Sequence, residues 1–151
     1  METLLPILAA HPFLAGLESK HLQKLAECAS LVSFNPGQMV YTEGQTATHF
    51  YLIRYGRVAL EIHTARRGAI TLATVGEGEF LGWSWIVSPH RWHIDARALE
   101  LTRAIALDFS CVLRYCEADH DLGYEFMKRF AVVLAQSLRF LKLQLVDVYG
   151  V

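Results

Sequence analysis

The sequence predicts a mainly β domain with flanking helices, ending in a long C-terminal helix. Three observations predict it. From Leu31 to Asp108, short β-rich runs alternate with turn residues. Ahead of them, Leu22, Leu25, Ala26 and Ala29 recur at helical spacing. Behind them, the chain from Asp121 to about Val148 has no proline and a single early glycine.

The first helix is expected over Leu17–Ala29, with Ser19 able to cap its start. The β part then reads as Leu31–Phe34, a turn at Asn35-Pro36-Gly37, Met39–Thr42, a loop at Glu43-Gly44-Gln45, and Phe50–Ile53. Phe50–Ile53 is continuously apolar, as a strand buried on both faces should be. A hairpin turn is expected at Arg54-Tyr55-Gly56-Arg57, followed by Val58–His63, a basic tip at Arg66-Arg67-Gly68, and Ile70–Val75. Gly44 and Gly56 suit turns that need positive φ. Gly76 to Gly82 is glycine-rich, and Ala96–Leu99 and Thr102–Asp108 close the β part. A short helix is expected over Phe109–Ala118.

The last helix would hold roughly 28 residues, ~42 Å at 1.5 Å per residue. Asp121 is its expected N-cap, with a charge that suits the helix dipole. Met127, Ala131, Leu134, Leu138, Leu141, Leu145 and Val148 step by four and three, the spacing of a coiled-coil seam. Phe126, Phe130, Val133 and Phe140 form a second stripe. One stripe can cover the β body while the other meets a partner, so a homodimer through Leu134, Leu138, Leu141 and Leu145 is expected.

Composition narrows the function. The chain has 151 residues, enough for one domain with its own core, and 53% of them are hydrophobic, which excludes a disordered chain. A net charge of −1 gives no basic field to attract nucleic acid or an anionic membrane. No apolar stretch is long enough to span a bilayer. The start, Met1 to Ala10, carries Glu2 and no Lys or Arg, so it does not read as a secretory signal. The cysteines are Cys28, Cys111 and Cys116, an odd number at spacings that match no disulfide framework. A reduced, cytoplasmic setting is therefore expected.

The run from Val40 to Val58, VYTEGQTATHFYLIRYGRV, resembles the signature of cyclic-nucleotide-binding domains of the cyclic-AMP receptor protein/FNR-like kind: a Gly, a polar residue, a small residue, four apolar residues and a second Gly at set offsets. Asn35-Pro36-Gly37 upstream and Gly78-Glu79-Phe80-Leu81-Gly82 downstream also stand where that family has such residues. The resemblance implies a β-roll (a double-stranded β-helix, jelly-roll-like) followed by a dimerisation helix. It implies a single domain over residues 1–151, with helix and roll over about 12–108 and C-terminal helices over about 109–148. It also implies a non-catalytic regulatory or sensor module. In the family, a loop and a one-turn helix after the Gly-rich stretch hold the cyclic phosphate. An Arg supplies charge and a Glu accepts from the ribose hydroxyl.

The chain departs from that pattern where the chemistry is. The cassette runs from Phe80 to Leu99. Trp83 stands at the Glu position, Trp92 where the phosphate Arg should be, and His93 at the small hydroxyl residue beside it. Arg91 is one residue away, on a strand that points it to the opposite face. Losing the charge-assisted bond costs roughly 1.5–3 kcal/mol, about a decade or two in affinity, and losing the ribose acceptor costs more. Weak cyclic-AMP binding is expected. The candidate pocket comprises Gly82, Trp83, Ser84, Trp85, Arg91, Trp92, His93 and Arg97. Either Trp83, Trp85 and Trp92 line a site for a flatter or more apolar ligand, or they fill it and leave a domain that mediates protein contacts.

Other constellations carry less. His90 and His93 lie near Asp95, but a metal needs three or four convergent ligands. A cupin-like metal enzyme would need a His-x-His that the chain lacks. Cys111 and Cys116, five apart, could sense redox state, and an iron–sulfur cluster would need four ligands. Arg54, Arg57, Arg66 and Arg67 read as a solvated rim. Relatives that read DNA continue into a helix-turn-helix, whereas this sequence ends at Val151, so direct DNA binding is not expected from it.

Overall fold

The computed structural model describes residues 4–82 and 91–150. The elements are α1 Leu5–Ala10, a 3-10 turn Pro12–Leu14, α2 Ser19–Glu27, β1 Ala29–Phe34, β2 Met39–Tyr41, β3 His49–Tyr55, β4 Arg57–Thr64, β5 Gly68–Gly76, β6 Phe80–Leu81, β7 Asp95–Ala98, β8 Thr102–Asp108, α3 Phe109–Ala118 and α4 His120–Tyr149. The strands form two four-stranded antiparallel sheets, in the orders β1-β8-β3-β6 and β2-β7-β4-β5. The mainly β roll with flanking helices and a long final helix is thus as expected. The chain divides into two compact units, Met1–Arg114 and Tyr115–Val151.

In the first unit the core is the facing surface of the two sheets. Phe50, Leu52 and Ile53 of β3, Ile105 and Leu107 of β8, and Val58, Ala96 and Ala98 of the other sheet are fully buried. The apolar run read at Phe50–Ile53 therefore lies inside the roll. His11, ahead of the 3-10 turn, is buried too. Its Nε2–H donates to the Ile53 carbonyl at 2.9 Å, and its Nδ1 accepts from the Phe13 amide. Burial holds this imidazole below its ordinary pKa, with nearby Arg54 pressing the same way against the opposing pull of the Ile53 bond.

Gly56 is not a hairpin turn. β3 pairs with β8 and β6, whereas β4 pairs with β5 and β7, so Gly56 carries the chain from one sheet to the other. Its φ is 95°, and a Cβ there would lie 2.5 Å from the Leu101 carbonyl oxygen and 2.7 Å from the Thr102 Cα. The β4–β5 connection is the true hairpin, with Thr64 opposite Gly68 and Arg66 and Arg67 at its exposed tip.

Several local expectations shift. α1, the 3-10 turn and the two-residue β6 were not legible as periodic runs. Ser19 is the first residue of α2 and not its cap; Glu18 holds the N-cap position without a side-chain bond. Asp119, not Asp121, caps α4, and its Oδ1 accepts from the Asp121 and Leu122 amides. The largest correction concerns the cysteines. Cys28 and Cys111 form a disulfide, with Cα atoms 5.5 Å apart, and Cys116 is free. Spacing along the chain is a poor guide here, because β1 and β8 bring together residues 83 apart.

In the second unit, α4 is a 30-residue helix. Leu122, Phe126 and Phe130 are buried, in keeping with the second apolar stripe. Glu125 bonds Arg129 at 2.7 Å and Lys128 at 3.3 Å, which supports the first turns. Gly150 ends the helix in the left-handed conformation. Among the described residues no helix is long and apolar enough to cross a membrane.

Two measurements test this account. Gly56→Ala should lower unfolding stability by about 2–4 kcal/mol, because it combines the left-handed strain with a backbone clash. Gly44→Ala, also at positive φ but with nothing within 4 Å, should cost only about 1–2 kcal/mol. Urea denaturation of both variants ranks them, and equal losses would contradict the crossover packing. For His11, the unfolded chain takes up a proton before the folded one as pH falls. Its contribution is complete above about pH 6.5 and is lost as pH falls through the lower folded value. Between pH 7.5 and 5.0 the wild type should lose more thermal stability than His11→Gln, which keeps a donor for the Ile53 carbonyl but does not titrate.

Candidate functional site

The site assembles where the segment beginning at Arg91 meets the roll. Arg91 bridges Thr46. The Trp92 amide donates to the Gln45 carbonyl at 3.0 Å, and the Gly44 amide donates to the Trp92 carbonyl at 2.9 Å. These bonds lay the segment along the Glu43-Gly44-Gln45 loop and fix where the indole points. Trp92 is 5% exposed. Its ring stacks on Tyr41, with centroids 3.7 Å apart and planes 11° from parallel. The far edge of the indole meets Gly82, where an added Cβ would lie 2.7 Å from Cη2. Gly82 has φ 96° and so admits both the turn and the ring.

Tyr41 is the residue that sequence reasoning missed. It pairs opposite Ala96, so the two share a face of their sheet. Burial, with Tyr51 nearby, pushes the Tyr41 phenol well above its ordinary range, so the phenol stays neutral. Trp92, Tyr41, Ala96 and Gly82 thus make one uncharged surface. The signal was the apolar position of Tyr41 in β2, but an aromatic in a strand is ordinarily core and carried nothing more.

Arg97 lies on the other face of β7. Along Asp95–Ala98, Ala96 and Ala98 are fully buried, and Asp95 and Arg97 alternate with them. Asp95 pairs opposite Glu61 of β4, which places Glu61 on the Arg97 side. Arg97 Nε donates to Glu61 Oε1 at 3.1 Å and its Nη2 to Oε2, a bidentate pair. Glu61 is only 5% exposed, and the Arg97 bonds hold its carboxyl below the usual range despite burial. On the same face His63 lies 3.7 Å from Asp95, whose Oδ1 accepts from the Glu43 amide at 2.7 Å. The alternation was available in the sequence, since Ala96-Arg97-Ala98 already separates the faces.

Arg91 is exposed, and its guanidinium donates to the Gly44 carbonyl at 2.9 Å. His93 is exposed as well. Of the candidate residues, then, Gly82 and Trp92 come together, while Arg91, His93 and Arg97 do not join them. Trp83, Ser84 and Trp85 lie outside the described residues, as does His90. Among the described residues no group of three or more His, Cys, Asp or Glu side chains is placed to hold a metal ion.

The family model for the cyclic nucleotide-binding domain matches residues 31–119, more than half of the chain. Solved structures share the fold. A cyclic nucleotide-binding domain from Methylobacillus flagellatus KT is 17% identical, with a TM-score of 0.80 over 95% of this chain and 81% of that one. The sensor domain of the transcriptional regulator DNR from Pseudomonas aeruginosa is 19% identical, with a TM-score of 0.70 over 89% and 90%. The regulatory subunit of a cAMP-independent protein kinase A from Trypanosoma cruzi, bound to guanosine, is 23% identical, with a TM-score of 0.62 over 87% of this chain and 50% of that one. The Val40–Val58 signature, the two-sheet roll and the family match agree: the chain belongs to the cyclic nucleotide-binding domain family.

Proposed function

We propose that this chain is a non-catalytic regulatory module that does not depend on tight cyclic-nucleotide binding. One observation carries the reading: Trp92, buried on Tyr41 and against Gly82, stands where the family's phosphate-binding Arg belongs. An indole cannot neutralise a buried phosphate. The neighbouring arginines do not replace the missing charge, because Arg91 serves the Gly44 carbonyl and Arg97 serves Glu61. A small ligand of this module is therefore uncharged and flat, held by stacking and shape. The guanosine in the Trypanosoma cruzi structure, a nucleoside without a phosphate, supports that class.

The module works as a homodimer through α4. Leu138 is 68% exposed, Leu145 58% and Val148 78%, with Leu141 exposed beside them, and they recur at the four-and-three spacing of a coiled-coil seam. A second copy of the same helix covers such a seam self-consistently, knob to hole. The signal would then pass to a protein partner.

Titration of purified protein with cyclic AMP, cyclic GMP and guanosine, followed by tryptophan fluorescence, tests the pocket. Both cyclic nucleotides should bind more weakly than roughly 10 µM. Sub-micromolar affinity for either would refute the reading. Trp92→Arg should gain cyclic-nucleotide affinity if only the cation is lacking. A loss of thermal stability with no gain would mark the indole as structural filling. Light scattering should give the mass of a dimer at micromolar concentration and of a monomer for Leu138→Asp. A wild-type monomer would end the dimer proposal.

A further inference from the structure

We infer that Cys28 and Cys111 form a reversible thiol–disulfide site that clamps the first turn of α3 to the roll, with Cys111 as the sulfur a dithiol reductant attacks. The backbone around the bridge is tied independently of it. The Cys28 carbonyl accepts from the Asp108 amide at 3.0 Å, one step beyond the Ala29–Leu107 pair that ends the β1–β8 ladder. The Phe109 amide donates to the Thr48 carbonyl at 3.1 Å. Asp108 caps the new helix by accepting from the Cys111 amide at 3.0 Å. These bonds keep the two cysteines adjacent when the sulfurs part. The bridge can therefore open and reclose without refolding, unlike a disulfide that alone holds distant segments together.

The sulfurs differ in access. Cys28 is 7% exposed, whereas Cys111 is half-buried on the first turn of α3. An incoming thiolate of a dithiol reaches the Cys111 Sγ. A mixed disulfide forms there as the Cys28–Cys111 bond breaks, and the Cys28 thiolate leaves and takes up a proton. The second thiol of the reductant then displaces Cys111. Two electrons pass to the cystine, and the reductant becomes a disulfide. Cys116 is not the exchanging partner, since burial, Asp119 and Glu117 push its thiol up and keep it protonated.

The position gives the bond a consequence. The boundary between the two compact units falls after Arg114, one turn beyond Cys111. α3 is the helix that carries the chain across it, and the clamp holds its near end. Oxidation fixes that end; reduction leaves it to the Asp108 cap and the packing of Val112, which is fully buried.

The test uses the full chain in glutathione buffers of graded redox poise. Alkylation and mass spectrometry should show one cystine in oxidised buffer and three thiols in reduced buffer, interconverting reversibly. Hydrogen exchange over residues 109–114 should quicken at least tenfold on reduction while β3 and β8 stay protected. The reduced protein should still melt cooperatively, roughly ten degrees lower. Cys111→Ser should match the reduced wild type, and Cys116→Ser should keep the switch. Three thiols in oxidised glutathione, unchanged exchange at 109–114, or collapse of β3 and β8 protection on reduction would each overturn the inference. Reduction of the wild type keeps the test valid if Cys111→Ser fails to fold.

Discussion

The roll depends on one crossing. β3 ends in the sheet that holds β8, and β4 begins in the sheet that holds β7. The chain makes that change at a single residue, Gly56, where an added Cβ would run into the Leu101 carbonyl and Thr102 at the start of β8. A side chain there would have to displace that backbone and hold a left-handed conformation at once. Phe50, Leu52 and Ile53 of the first sheet and Val58 of the second are fully buried on either side of that crossing.

A second glycine performs the corresponding task at the site. Gly82 leaves β6 at positive φ and faces the edge of the Trp92 indole. In a pocket built for a sugar phosphate, a glycine here lets backbone amides approach an anion. In this chain the same absence of a side chain admits an aromatic ring.

Most of the roll was legible because its strands are bounded by turn residues and its buried run at Phe50–Ile53 is continuously apolar. β8 and α3 match their expected bounds, and α4 differs by one residue at each end. What stayed hidden depended on pairing across the sheets. Gly56 looks like a hairpin glycine until β3 and β4 prove to lie in different sheets. Cys28 and Cys111 look unrelated until the β1–β8 ladder sets their Cα atoms 5.5 Å apart. α1 and β6 are too short to show a period. At the site, Trp92 itself was singled out from the sequence, and its burial is what the structure adds. Its stacking partner was not singled out, because an aromatic at Tyr41 serves a core equally well.

Charge is sorted by face in β7 and its neighbours. On one side Glu61, Arg97, Asp95 and His63 are engaged with one another within hydrogen-bond or ion-pair reach. On the other side Ala96, Ala98, Tyr41 and Trp92 carry no formal charge, and burial keeps the Tyr41 phenol protonated. An anion entering on that side would lose water and gain no cation, a cost that stacking does not offset. The register of β7 decides which side chains lie on each face, because sliding that strand by one residue would exchange Ala96 for Arg97.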